Sequence, residues 1–169
     1  MKSKKPLLIG IFITLLFVFL ISGILQYIVV TLFGMTVEDV TFTASGFTPI
    51  FHINIENNGF FNSLLIFSKF LISISFLELA LLLLNKFPIG IYRFVTISSI
   101  LFLSGYLILY FFYGILNSVL SLSSNTDFAK LINLLELEKN QSFVLIFLLL
   151  IIFVSYLQLV QKRIMRYLK

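Results

Sequence analysis

The chain has 169 residues, of which 60% are hydrophobic and only 11% are charged, and its mean hydropathy is +1.11. This composition indicates an integral membrane protein and leaves no room for a separate soluble domain. The net charge of +5 does not indicate nucleic-acid binding, because the basic residues cluster beside the ends of apolar runs. The sequence contains no cysteine, which excludes disulfides and thiolate chemistry.

Four apolar runs divide the chain, at about residues 7–33, 64–84, 94–116 and 142–160. Each is close to the ~20 residues that cross a ~30 Å hydrocarbon core. The first run follows a basic start and imitates a secretory signal, but it is too long for one and has no small-residue cleavage site. We interpret it as a retained anchor. The sequence therefore predicts an all-α membrane protein, a single domain over residues 1–169 with four transmembrane helices.

The charged residues predict how these helices are oriented. Nine of the twelve basic residues flank the same end of the runs: Lys2, Lys4, Lys5, Lys86, Arg93, Lys162, Arg163, Arg166 and Lys169. The positive-inside rule then puts both termini in the cytoplasm. All the acidic residues except Glu78 lie in the loops 34–63 and 117–141, which we expect to be extracytoplasmic. We expect a multi-pass protein of the cell inner (cytoplasmic) membrane.

The first outer loop has the pattern of β-structure. Apolar and polar residues alternate over residues 40–44 and again over 51–56, on either side of Ser45-Gly46. Such runs around a turn predict a small β-hairpin. Gly59, just after the second run, is expected to take a backbone conformation that a Cβ would resist. His52 and Glu56 would be ~13 Å apart on a strand, so we predict no metal site there.

The second outer loop has a helical pattern instead. Its apolar residues recur at helical spacing opposite polar ones, the apolar set being Phe128, Leu131, Ile132 and Leu135. This predicts a short amphipathic helix in the membrane interface. Asp127 directly precedes it, where an aspartate N-cap contributes about 1 kcal/mol.

Two charged residues fall within the second apolar run. Glu78 would cost roughly 2.5–3.5 kcal/mol at a membrane centre, so it is a candidate site for an ion, substrate or partner. The alternative is a structural role in which a protonated Glu78 bonds a hydroxyl such as that of Ser75 or of a tyrosine on the third helix. Lys69 faces the opposite side of that helix, and we expect it to extend to the outer interface.

Several short motifs stand at particular places in this layout. Asn57-Asn58-Gly59 follows the β-patterned loop, Asn117 ends the third run, Asn125-Thr126-Asp127-Phe128 lies in the second outer loop, and Lys139-Asn140-Gln141-Ser142-Phe143 opens the fourth run. In layout over the whole chain, and in these fragments, the sequence resembles the lipoprotein signal peptidase (signal peptidase II) family. The resemblance implies that Asp127 corresponds to the first catalytic aspartate of that family.

The same comparison also shows what the chain lacks. Phe143 stands where the family has its second catalytic aspartate, and Ser22 to Gln26 replaces a family Asp-x-x-x-Lys without either charge. Neither the Asp-Arg pair after Asn117 nor the small residues after Gly59 are kept. An aspartic protease needs two carboxylates in near contact, and Glu138 would lie about 16 Å from Asp127 along a helix.

The resemblance therefore implies a catalytically lapsed relative that binds a transmembrane or lipidated segment as an accessory or assembly subunit. Its binding residues would be Asn57, Gly59, Asn117, Asn140 and Glu78. One alternative is an active, divergent membrane aspartyl peptidase that uses Asp127 to process lipoproteins. Another is an unrelated structural subunit of a membrane complex. We expect membrane lipid and a transmembrane protein or lipoprotein as partners, no nucleic acid, and no cofactor or metal.

Overall fold

The computed structural model describes residues 5–33, 36–43, 46–51, 59–87, 90–119 and 127–168. In chain order the elements are α1 (Lys5–Leu16), a π-helical turn (Phe17–Ile21), α2 (Ser22–Leu32), β1 (Val37–Thr43), β2 (Gly46–Phe51), α3 (Gly59–Ile66), α4 (Ser68–Lys86), α5 (Ile91–Val119), α6 (Asp127–Leu134) and α7 (Lys139–Leu168). The chain divides into two compact units, Met1–Leu103 and Ser104–Lys169. Organisation as one domain over residues 1–169 stays a prediction.

Four helical segments are long and apolar enough to cross a membrane: Lys5–Leu32, Ser68–Lys86, Ile91–Asn117 and Lys139–Arg166. Four helices apolar enough to span a membrane are thus confirmed, while the crossing of a membrane and the orientation stay predictions. The helices extend beyond the apolar runs because hydrocarbon thickness limits the run and not the helix. The second apolar run does not form one continuous helix, because α3 ends before Phe67 and α4 begins after it. At this interruption the Ser68 hydroxyl donates a hydrogen bond to the Leu65 carbonyl at 2.6 Å.

In the first unit, α1 packs closely on the first half of α5. At Gly10 there is no room for a Cβ, because the Ser98 side chain and the Val95 carbonyl occupy that space. The Ser99 hydroxyl donates to the Gly10 carbonyl at 3.3 Å, and the Thr14 hydroxyl reaches the Ser99 carbonyl at 3.4 Å. Small residues that let two backbones approach are the usual basis of helix packing in membranes.

The predicted hairpin is confirmed, but its second strand begins earlier than expected. β1 and β2 pair antiparallel from Thr43↔Gly46 outward, and Val40 lies opposite Pro49. Pro49 has no N–H, yet it is tolerated because each strand of a two-stranded sheet is an edge. Because Thr43 pairs with Gly46, β2 begins at Gly46 and ends at Phe51, where the second run was expected to begin. Residues 52–58, with His52 and Glu56, lie outside the described residues.

In the second unit, α6 forms at the predicted place, and its residues Phe128 and Leu131 are buried. Its location in the membrane interface stays a prediction. Leu135 was expected on the apolar face but is exposed, because the helix ends at Leu134. Glu136 there has a φ of 49°, and the Leu137 N–H bonds the Ile132 carbonyl at 3.2 Å. This is a Schellman-type helix end, in which glycine usually takes the left-handed position.

Candidate functional site

A tyrosine–aspartate cluster lies in the second unit, formed by Tyr106, Tyr110 and Asp127. The Tyr110 hydroxyl donates a hydrogen bond to Asp127 Oδ2. The Tyr106 ring is one helical turn away, with its centroid 6.2 Å from that of Tyr110. The hydroxyl oxygen of Tyr106 is buried, and among the residues that the structure describes it has no hydrogen-bond partner. The one carboxylate in this cluster is therefore bound by a phenol.

Phe128 sets the position of Asp127. Its ring fills the space beside Gly114, where a Cβ would not fit, and meets the Phe111 ring edge-on at 5.1 Å. Phe111 in turn stacks on Phe153 of α7 at 4.4 Å. The chain of rings holds the first turn of α6 against α5. A carboxylate in a first helical turn also interacts favourably with the helix dipole, by about 0.3–1 kcal/mol.

No second carboxylate accompanies Asp127 in the part of this unit that is described, residues 104–119 and 127–168. The other two acids there, Glu136 and Glu138, are exposed beyond the end of α6. Glu136 is nine residues from Asp127, or about 13 Å at helical rise. Phe143 is 44% exposed on α7. Asp127 is thus the one carboxylate of the described tyrosine–aspartate cluster, which holds no second acid to share a proton.

The other predicted site residues of this unit do not join the cluster. Asn117 is buried, and its side-chain amide donates to the Tyr113 carbonyl of its own helix at 2.8 Å. Asn140 is exposed and lines a shallow apolar groove of about 440 Å³ formed by α7 and the residues before it. Neither Asn117 nor Asp127 is among the described residues that line this groove. The structure thus does not bring Asn140 into one cavity with them.

The remaining predicted residues belong to the first unit. Asn57 lies outside the described residues. Gly59 begins α3, so the prediction of a non-helical backbone there is wrong. Glu78 is partly buried in α4, and the Ser75 hydroxyl donates instead to the Leu71 carbonyl at 2.9 Å. A functional role for Glu78 stays a prediction.

Lys69 was expected from the sequence to extend to the outer interface, and that prediction is wrong. It is only 3% exposed, and its ammonium group donates to the Phe47 carbonyl at 3.1 Å and to the Thr48 hydroxyl at 3.2 Å. It therefore does not extend to water at the interface. The hairpin folds onto the helices and supplies the acceptors. At Gly23 of α2 the Phe47 backbone again approaches so closely that no Cβ would fit.

Lys69 belongs to a buried polar seam between α2 and α4. Val30 of α2 packs on Leu65, near the end of α3 and just before α4 begins. Phe17, in the π-helical turn just before α2, stacks on Phe76 of α4 at 3.8 Å. The helices α2 and α4 therefore run antiparallel. This register puts Gln26 level with Lys69. Gln26 is 3% exposed, and its Oε1 has no hydrogen-bond partner within the described part of the chain.

The same register puts Ser22 level with Ser73. Both serines are fully buried, and each donates to a carbonyl of its own helix. On both helices the polar residues are spaced four apart, at 22 and 26 and at 69 and 73. That spacing places each pair on one helix face, so the buried polar seam could have been predicted from it.

An open apolar groove of about 490 Å³ lies along another face of the same helices. It extends from Phe17 and Phe76 at one end to Phe33 and Leu64 at the other. Sixteen residues separate Phe17 from Phe33, or about 24 Å at helical rise. The hydroxyls of its two serines, Ser68 and Ser75, donate to backbone carbonyls three and four residues earlier in the chain. The groove therefore presents hydrocarbon almost throughout.

These features define a helical protein with four candidate membrane spans, a small hairpin after the first and a short helix before the last. Comparisons with protein-family models, with curated proteins and with solved structures gave no match in any of the three.

Proposed function

We propose that the chain is a membrane subunit that binds the acyl chain of a lipidated partner protein, and that it is a catalytically lapsed relative of the lipoprotein signal peptidases. The observation that carries the binding proposal is the apolar groove between Phe17 and Phe33. Its volume of about 490 Å³ is within the range of ligand pockets, about 300–1,000 Å³. Its length of about 24 Å covers most of a ~30 Å hydrocarbon core.

The lining of this groove favours an acyl chain over a transmembrane helix. Helices pack in membranes through small residues that let two backbones approach. Among the described residues that line the groove there is no glycine or alanine, and most are leucine, phenylalanine or another large apolar residue. A flexible chain fits between such side chains without requiring backbone contact. Because membrane lipid is equally apolar, the selectivity comes from packing and from the protein segment attached to the chain.

The proposed lack of catalysis depends on the surroundings of Asp127. In the described part of its unit the nearest acid along the chain is Glu136, about 13 Å away at helical rise. The Asp127 carboxylate accepts a hydrogen bond from the hydroxyl of Tyr110, whose ring lies beside that of Tyr106. A single carboxylate cannot be both the base that activates water and the acid that protonates the leaving group.

The test is photo-crosslinking of the purified protein in nanodiscs. The probe is a diacylated lipoprotein-type peptide with a photoreactive acyl chain, compared with the same peptide attached to a photoreactive group without acyl chains. Leu71→Trp fills the groove and should lower capture of the acylated peptide about tenfold. Leu82→Trp is the matched control, because Leu82 lies on the same helix, is 61% exposed and does not line the groove.

Two results would overturn the proposal separately. Equal capture of both peptides, or equal loss in both tryptophan variants, refutes acyl binding and leaves the structural-subunit alternative. Cleavage of a lipidated precursor peptide that disappears in Asp127→Asn refutes the lapsed-enzyme part and supports the active peptidase.

A further inference from the structure

A cavity of about 410 Å³ lies at the basic end of α7, in the second unit. Its described lining consists of four exposed residues of that helix: Gln161, Lys162, Met165 and Arg166. They form two adjacent rows of residues four apart, 161 with 165 and 162 with 166, so they share one side of the helix. Val160 and Ile164 lie on another side and are buried. The cavity is therefore on the outward side of α7.

Two cations lie side by side in this cavity. Lys162 and Arg166 are four residues apart, which puts their Cβ atoms about 6 Å from each other, and like charges at this spacing destabilise a helix. The helix dipole favours a cation near the C-terminus, but it does not account for two cations that line one concave surface. The described lining contains no acid, and the Gln161 amide adds N–H donors. An anion bound between the two side chains would relieve their repulsion.

The cavity lies next to an exposed apolar strip of the same helix. The apolar run ends at Val160, one residue before the cavity begins, while the candidate span continues to Arg166. Leu159 and Ile152 lie seven and fourteen residues before Arg166, hence on its face of the helix, and are 53% and 65% exposed. Of the four candidate spans this one has the smallest buried share, so most of its apolar surface would meet lipid.

We propose that this cavity binds an anionic phospholipid, with the phosphate between Lys162 and Arg166 and an acyl chain along Leu159 and Ile152. The arginine fork matches a phosphate with two parallel N–H bonds, and lysine binds it as a point charge. Basic residues just beyond a membrane helix attract anionic lipid in general, and the cavity adds a defined place for one headgroup. A lipid is favoured over a soluble phosphate because only a lipid uses the apolar strip.

This proposal does not depend on the proposed function. The cavity belongs to α7 of the second unit, whereas the described lining of the acyl groove lies in the first unit. Variants of one site leave the lining of the other unchanged, so the two proposals fail or succeed separately.

The test is native mass spectrometry of the purified full chain, titrated separately with phosphatidylglycerol and phosphatidylethanolamine of the same acyl chains. The unmodified protein should bind phosphatidylglycerol about tenfold more tightly. Lys162→Gln and Arg166→Gln should each lower that affinity about fivefold, and about 25-fold together, while the phosphatidylethanolamine affinity changes by less than about twofold. Because both side chains are exposed, the variants should keep the Tm of the unmodified protein, which is measured in parallel.

The matched control is Arg163→Gln. It removes the same charge from the same helix end, at an exposed residue that is not among the described lining, and should lower the phosphatidylglycerol affinity less than about twofold. Glycerol 3-phosphate, a soluble phosphate without acyl chains, should not displace the lipid. The proposal is overturned if Arg163→Gln weakens binding as much as Arg166→Gln, if both lipids bind equally, or if glycerol 3-phosphate displaces phosphatidylglycerol.

Discussion

The ring of Phe128 is the main attachment of α6 to the rest of its unit, so Phe128→Ala should release that helix. The side chain is 2% exposed and lies between Gly114 and the Phe111 ring. Replacing it removes the ring contact and leaves a cavity that Gly114, which has no side chain, cannot fill. Because Asp127 is the neighbouring residue, the same change should separate its carboxylate from Tyr110.

The size of the effect follows from the burial of the ring. Phe→Ala substitutions in protein cores cost about 3–5 kcal/mol. We take the lower end, about 3 kcal/mol, because the ring meets lipid and not water when α6 of the unmodified protein detaches. Its transfer free energy is therefore smaller than in a water-soluble protein. At 1.4 kcal/mol for each factor of ten, α6 should detach about 100 times more often.

Cysteine labelling measures this opening directly, because the chain has no native cysteine. Leu131→Cys puts a thiol on the buried face of α6, where the side chain is 6% exposed. Adding Phe128→Ala should raise the maleimide labelling rate about 100-fold. Phe143→Ala, at a residue that is 44% exposed, serves as the control and should leave the rate unchanged. An increase of less than threefold for Phe128→Ala would refute the attachment described above.

Three further predictions concern the helix end and the hairpin. Glu136→Gly should stabilise the protein by about 1 kcal/mol, because glycine adopts the left-handed conformation without steric cost. The Tm in detergent should rise by a few degrees, and Glu136→Ala should give no such gain. Gly23→Val should displace the hairpin from α2 through a clash with Phe47 and make β2 at least tenfold more sensitive to added protease, whereas Ile24→Val should not. Lys69→Ala should also expose the hairpin, since losing two hydrogen bonds from a charged donor costs about 1.5–3 kcal/mol each; protection equal to the unmodified protein would show that Lys69 does not hold it.

The spans were predictable because crossing hydrocarbon demands a run of about 20 apolar residues whatever the tertiary structure. Their ends were not. α7 continues beyond Val160 through Lys162 and Arg166 to Leu168, because its backbone still gains from helical hydrogen bonds where the side chains are no longer apolar. The hairpin was predicted from alternation, but alternation does not specify which residues of the two strands pair, and a proline inside the pairing was not expected.

The polar contacts were the least predictable part because they join residues distant in sequence. Lys69 bonds a strand 21 and 22 residues earlier, and Tyr110 bonds an aspartate 17 residues later on another helix. Asp127 was recognisable in the sequence as a candidate residue, and the tyrosines of the third span were visible there. Their meeting depends on the docking of Phe128, which no local pattern encodes.

The π-helical turn at Phe17–Ile21 controls the phase of the first span. The Ser22 N–H bonds the Phe17 carbonyl, five residues back, so this turn holds one residue more than α-helical geometry would. If the same residues were wound as an ordinary α-helix, everything beyond this turn would rotate by about 100° relative to α1. Gln26 would then turn away from Lys69 and Gly23 away from the hairpin, although every side chain was kept. The contacts of the first span thus depend on how this one turn is wound, and not only on which side chains lie beyond it.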